Sequence, residues 1–223
     1  MAKFDSHLGH RGSQQHVSQQ MILVFRRTGQ RRYAIEAQRP GLPDLVMNPA
    51  PGYDRLIPHD MMHLVVEAQL GITRGVFGQL AAGGNAGTFN LSLKRDESSR
   101  EMVRAGNRVR MRGKKLLKEG RDDSVRSERA TYICWYEWLA RSHSSDRKKV
   151  SQAMAQQAKQ VRQTASTKEL RALNESKLDE ICKHLDHLSS HWSRLEVGES
   201  VAIRWPDLEI ITAVAGSPRT GNV

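Results

Sequence analysis

Two short runs of alternating apolar and polar residues, MILVFRR and RRYAIEAQ, occupy most of residues 21–38 and flank Thr28-Gly29-Gln30. That spacing predicts a β-hairpin, with Gly29 available for a positive φ at the turn. Pro40, Pro43, Pro49 and Pro51 break any period between 39 and 55, which reads as a loop. From Pro58 the apolar period becomes helical: HDMMHLVVEAQLG runs to Gly71, a natural stop just past the last periodic position. A second, short helix rich in small residues (Gly75, Gly78, Ala81, Ala82) leads into GGNAG, a loop at Gly83–Gly87. Met102, Gly106, Val109, Gly113 and Leu116 form a narrow apolar stripe and predict a helix over 97–118. A helix over 124–142 carries Tyr132, Trp135, Tyr136 and Trp138, and a polar helix follows over 147–165. The 3-4-3-4 spacing of Leu178, Ile181, Leu185, Leu188 and Trp192 predicts a helix over 168–192. Its seam closes on 147–165 as a protruding hairpin, on the domain, or on a second copy. VGESVAIRWP and DLEIITAVAG read as two strands.

These elements predict an α+β, mostly helical fold. A small antiparallel sheet, built from the N-terminal hairpin and the C-terminal strands, packs with a helical body. Residues 1–20 and 217–223 have no period and read as disordered tails, leaving one domain over 21–216.

Composition narrows the classes. The chain of 223 residues is long enough for one substantial core, yet only 38% of it is hydrophobic. No apolar run approaches the ~20 residues of a membrane helix, and the first 20 residues lack a signal-peptide core. Cys134 and Cys182 make neither a disulfide framework nor a CxxC site. The expectation is a cytoplasmic protein without a membrane partner. A net charge of +11 favours an acidic partner such as nucleic acid. The densest cationic stretch is Arg104–Arg121, where eight Lys and Arg face Glu119 alone. Arg104, Arg108, Arg112 and Lys115 on that helix are the candidates for holding phosphates; a solvated charged face is the plainer alternative.

Candidate chemistry concentrates on the helix from Pro58. At about 100° per residue, His59, His63 and Glu67 share one stripe, with Asp60 beside it, while Met61, Met62, Leu64, Val65 and Val66 cover the rest. A helix apolar on most sides is buried on most sides, so these polar groups need a hydrogen bond, an opposite charge or a metal. Imidazoles at i and i+4 can share one ion. HDMMH, residues 59–63, resembles the HExxH motif of zinc peptidases over those five residues. The resemblance implies His59 and His63 as ligands to zinc or another divalent metal, Asp60 as general base, and a hydrolytic activity. A third ligand of the glutamate type would come from a later helix, with Glu97, Glu101 and Glu137 as candidates. Glu67 lies eight residues from His59, about 12 Å along a straight helix. The ligand pair is therefore His59/His63 or His63/Glu67, with Glu67 a ligand or an orienter. Two readings without a metal stay beside this one: acid–base chemistry, and a packed helix whose polar groups bond to backbone or arginine. His184, His187 and His191, with Asp186 near, form a second histidine group beside the 168–192 seam.

Overall fold

The alternating run at 21–29 becomes β1 (Met21–Gly29) in a computed structural model that describes residues 20–92, 99–142 and 150–211. β1 pairs on one side with β2 (Arg32–Gln38) and on the other with β5 (Ser200–Trp205). With β3 (Leu45–Ala50), β4 (Asn90–Leu91) and β6 (Ile210–Ile211) they form a fully antiparallel sheet of order β4-β3-β2-β1-β5-β6. Period-2 alternation sends Leu23, Phe25, Tyr33, Ile35, Ala37, Leu45 and Ile203 into the core, while Ile22, Val24, Glu36 and Arg204 stay partly exposed.

The sheet is larger than the sequence pattern predicts, because β3 forms inside the proline-rich segment. β4 pairs only with Leu45 and Val46, so Pro49 sits on an edge where its missing N–H removes no ladder bond on that side. On the β2 side, a register shift between Tyr33 and Ile35 absorbs Asn48 and Pro49.

Seven helices lie among the described residues: α1 (His59–Gln69), α2 (Val76–Ala81), α3 (Ser99–Glu119), α4 (Arg121–Ala140), α5 (Gln152–Thr164), α6 (Thr167–Ala172) and α7 (Glu175–Trp192). The fold is α+β and mostly helical. α1 is central: Met61, Met62, Leu64, Val65 and Val66 are buried, and the helix packs on α2, α4 and α7. The helix predicted over 168–192 is split, because the Asn174 side chain accepts from the backbone N–H of Lys177 and caps a new start. Ser166 and Glu169 form a capping box that starts α6. The Leu178–Trp192 seam is buried within the chain, and α7 packs on α1, α4 and β5, while α5 packs on α4. Trp192 donates to the carbonyl of Asp54 and meets Tyr33 edge-on, which ties the end of α7 to the start of α1. Among the described residues no helix is long and apolar enough to cross a membrane. The predicted tails, apart from Gln20, and Glu97 lie outside the described residues, as does the second half of the last predicted strand.

Candidate metal centre

The site begins where the chain enters α1. The backbone N–H of His59 donates to Gly52 O at 3.1 Å, and Asp54 accepts from the backbone N–H groups of Leu56 (2.7 Å) and Ile57 (3.3 Å). Gly52 has a positive φ of 71°, and a Cβ there would lie 2.8 Å from that of His59. Only glycine fits this turn, and the turn fixes where His59 stands. One helical turn on, His63 is 3% exposed, and its ring meets that of His59 edge-on at 4.6 Å. Glu128, on the facing side of α4, brings Oε2 to 3.5 Å from His63 Nε2.

His59, His63 and Glu128 form a group that could hold a metal ion, with one ligand atom from each lying within 4.8 Å of the others. Bonds of about 2.1 Å in a tetrahedral zinc site place neighbouring ligand atoms about 3.4 Å apart. The His63–Glu128 separation has that spacing, and it is long for a hydrogen bond.

Behind the histidines runs a chain of hydrogen bonds. His63 Nδ1 is 2.9 Å from Ser127 Oγ, and the Ser127 hydroxyl donates to Glu67 Oε1 at 2.8 Å. Glu67, at 0% exposure, also accepts from the backbone N–H groups of Val76 (2.7 Å) and Phe77 (2.9 Å) at the start of α2. The approach is close: a Cβ on Gly75 would lie 2.2 Å from Glu67 Oε1. A serine hydroxyl has one hydrogen. Since that hydrogen goes to Glu67, Ser127 accepts the proton of His63 Nδ1, with Thr131 Oγ1 also in reach at 3.2 Å. That places a proton on Nδ1, and in the neutral imidazole Nε2, which faces Glu128, then carries none.

The electrostatics follow from burial and these partners. His59 keeps an exposed edge, and partial burial among its neighbours, with His63 adding to it, holds it below the ordinary imidazole range, opposed by Glu128 and Asp60. A hydrogen bond from His63, where Nε2 carries a proton, holds Glu128 below the usual carboxylate range. Burial pushes Glu67 up, against the pull of Ser127, His63 and the two backbone donors.

Of the residues singled out in the sequence, His59 and His63 come together. Asp60 points elsewhere, accepting from the Tyr33 hydroxyl of β2, and burial raises its pKa. Glu67 stands behind His63 with both oxygens engaged. Glu137 pairs with Arg141 and Arg162, away from the histidines, and Glu101 lies on α3. His187 and His191 stack edge-on at 4.9 Å, both exposed, and Asp186 accepts from Trp138 Nε1. On α3, Arg104, Arg108, Arg112 and Lys115 are all exposed; Arg112 donates to Ala82 O, and Lys115 lies 3.8 Å from Glu119.

Glu128, Ser127 and Thr131 escaped the sequence reading. The only signal for them was a Ser-Glu pair one turn before the aromatic cluster of α4, on a helix taken as bulky core. That cluster has a second consequence. Beside His59 opens a cavity of about 380 Å³, walled by Leu56, Ile57, Met62, Tyr132, Trp135 and Leu139, with Thr131 at its edge.

Comparison with known proteins adds nothing to this geometry: no family model, no curated protein and no solved structure matches the chain.

Proposed function

We propose that this protein binds a divalent metal, zinc by preference, on His59, His63 and Glu128. One observation supports the reading above the others. His63 Nε2, which carries no proton in the neutral imidazole that donates through Nδ1, faces a carboxylate oxygen at 3.5 Å. Two acceptors repel unless something positive lies between them. Two nitrogens and a carboxylate oxygen suit zinc, and the hydrogen-bonded Nδ1 of His63 suits it further.

The finer reading is hydrolytic. Three protein ligands leave a fourth position for water, whose pKa the metal lowers toward 7. Asp60 takes the base role in this reading only by giving up its bond with Tyr33. An Asp60→Asn variant that keeps the metal and loses hydrolysis would assign it that role.

The test is zinc affinity by competition with a chromophoric chelator, on protein stripped of metal. One equivalent should bind with sub-micromolar affinity, and His63→Ala and Glu128→Gln should each weaken it at least tenfold. Weak binding untouched by either change would sink the proposal, since exposed histidines such as His187 and His191 also take up zinc adventitiously.

A second reading concerns partners. The exposed cations of α3, with Val103 and Met111 exposed among them, suit a nucleic-acid backbone. Replacing Arg104, Arg108 and Lys115 with glutamine should shallow the dependence of nucleic-acid affinity on salt. An unchanged slope would remove that face from the account.

A further inference from the structure

We infer that the cavity beside His59 receives the apolar body of a small molecule whose polar head ligates the metal. The ligand class is a short aliphatic or aromatic acyl compound. The inference rests on the metal-site reading and goes beyond it by naming what sits next to the ion.

Three observations lead there. The cavity and the metal group share a wall: His59 lines the one and belongs to the other, and Thr131 lines the cavity while its hydroxyl reaches His63 Nδ1. A ligand tail in the cavity therefore lies against His59, one of the residues of the metal group. The size, about 380 Å³, falls in the range of small-molecule sites, and the walls are aromatic and aliphatic. The third observation is a matter of charge. The chain carries 35 lysines and arginines, yet the residues lining this cavity include none. The one acid in the lining, Asp54, already accepts two backbone N–H groups of its own loop. A free acid or phosphate would find no cationic side chain there, so the electrophile available to a polar head is the metal on His59, His63 and Glu128. An acyl head with a short apolar tail satisfies both halves of the site.

The test uses simple hydroxamates as probes, because their head chelates zinc whatever the tail. Acetohydroxamate, butanohydroxamate, hexanohydroxamate and benzohydroxamate would be titrated calorimetrically into zinc-loaded and metal-free protein. Burying four further methylenes between the acetyl and hexanoyl members should tighten binding on the order of 100-fold, at about 0.8 kcal/mol each. The gain should vanish without zinc. Leu56→Trp, on the loop, and Met62→Trp, on α1, should each flatten the chain-length series while leaving zinc affinity within twofold. Two variants are used because Met62 is buried and its replacement could unfold the chain. Zinc affinity that is intact with a flat series in the native protein overturns the inference and leaves the metal site standing. A series that keeps its slope in both folded variants places the tail elsewhere and also overturns it. Failure to bind zinc in the same experiment overturns both readings together.

Discussion

Replacing Glu67 with glutamine tests whether the buried carboxylate orients His63 or merely staples helices together. The change keeps the shape of the side chain. In the native site Oε1 receives Ser127 Oγ and the Val76 N–H, and Oε2 receives the Phe77 N–H. Glutamine has one acceptor oxygen. Its better orientation puts that oxygen on the two-donor side and sets its NH₂ against the Phe77 N–H. One charge-assisted bond is lost and a buried donor is stranded, at about 1.5–3 kcal/mol. The neutral amide escapes part of the burial penalty that raises the Glu67 pKa, which offsets some of the loss. A net destabilisation of about 2 kcal/mol should appear as a lower urea midpoint of the metal-free protein.

Zinc affinity decides the matter. Without the carboxylate, Ser127 is less strongly held as acceptor for His63 Nδ1, and the imidazole becomes a poorer ligand. Loss of such an outer partner weakens metal binding about 10–100-fold, or about 1.4–2.7 kcal/mol. Ser127→Ala should reproduce the loss in zinc affinity with a smaller loss of stability, because Glu67 keeps both backbone donors and His63 keeps Thr131. If Glu67→Gln lowers the urea midpoint and zinc affinity stays within twofold, the relay has no part in metal binding and Glu67 is structural alone.

Other perturbations follow from single contacts. Gly75→Ala would put a methyl 2.2 Å from Glu67 Oε1 and should cost about 1–3 kcal/mol by urea unfolding, with zinc affinity falling in step. Arg39, 4% exposed, donates to the carbonyls of Pro43, Leu80 and Gly84, and burial lowers its pKa to about 10. Arg39→Lys cannot span all three, so it should lose about 2–4 kcal/mol of stability without changing zinc binding per folded molecule. Burial holds His59 below the ordinary imidazole range, so as pH falls through about 6.5 the unfolded chain takes up that proton first. The metal-free protein should lose stability over that window through His59, and His59→Gln should remove this component. Asp60 and Glu67, whose pKa values are raised, act in the opposite sense, so the difference between native and variant midpoints is the quantity to read.

Much of this molecule is legible in its sequence, for physical reasons that differ by element. The hairpin, α1 and the α7 seam are strongly periodic, and their buried positions are the ones the period selects, from Leu23 and Phe25 to Leu185 and Trp192. β3 is hidden because proline reads as a breaker, and whether Pro49 is tolerated depends on β4 ending two residues in, a long-range fact. The break at Asn174 is local and readable in principle, since asparagine before Glu-Ser-Lys is a capping signal. The metal group divides the same way. His59 and His63 sit one turn apart on one helix, so spacing alone brings them together. Glu128 is more than sixty residues further on, and only the packing of α1 on α4 gives it a partner. A helical period carries no information about which residue of another helix will face it.

That partner permits a sharp distinction between a metal and a proton at His63 Nε2. If a proton lies between His63 and Glu128, the two form an ion pair with one buried and one exposed member, and Glu128→Gln leaves a buried imidazolium uncompensated. The metal-free variant would then be less stable than the native protein. If Nε2 is bare, the native carboxylate confronts a lone pair, and the glutamine NH₂ can donate to it instead. The metal-free variant should then be as stable as the native protein, the more so because the Glu128 side chain is 68% exposed and contributes little packing. Zinc completes the separation. At a free concentration 100 times its dissociation constant it should stabilise the native protein by about 2.7 kcal/mol, since the unfolded chain offers no assembled site. In Glu128→Gln at the same concentration a tenfold weaker affinity should cut that gain to about 1.4 kcal/mol, and weaker binding should cut it further. A destabilised metal-free variant together with a native protein indifferent to zinc would show that the positive charge at this site is a proton, and the metal reading would fall with it.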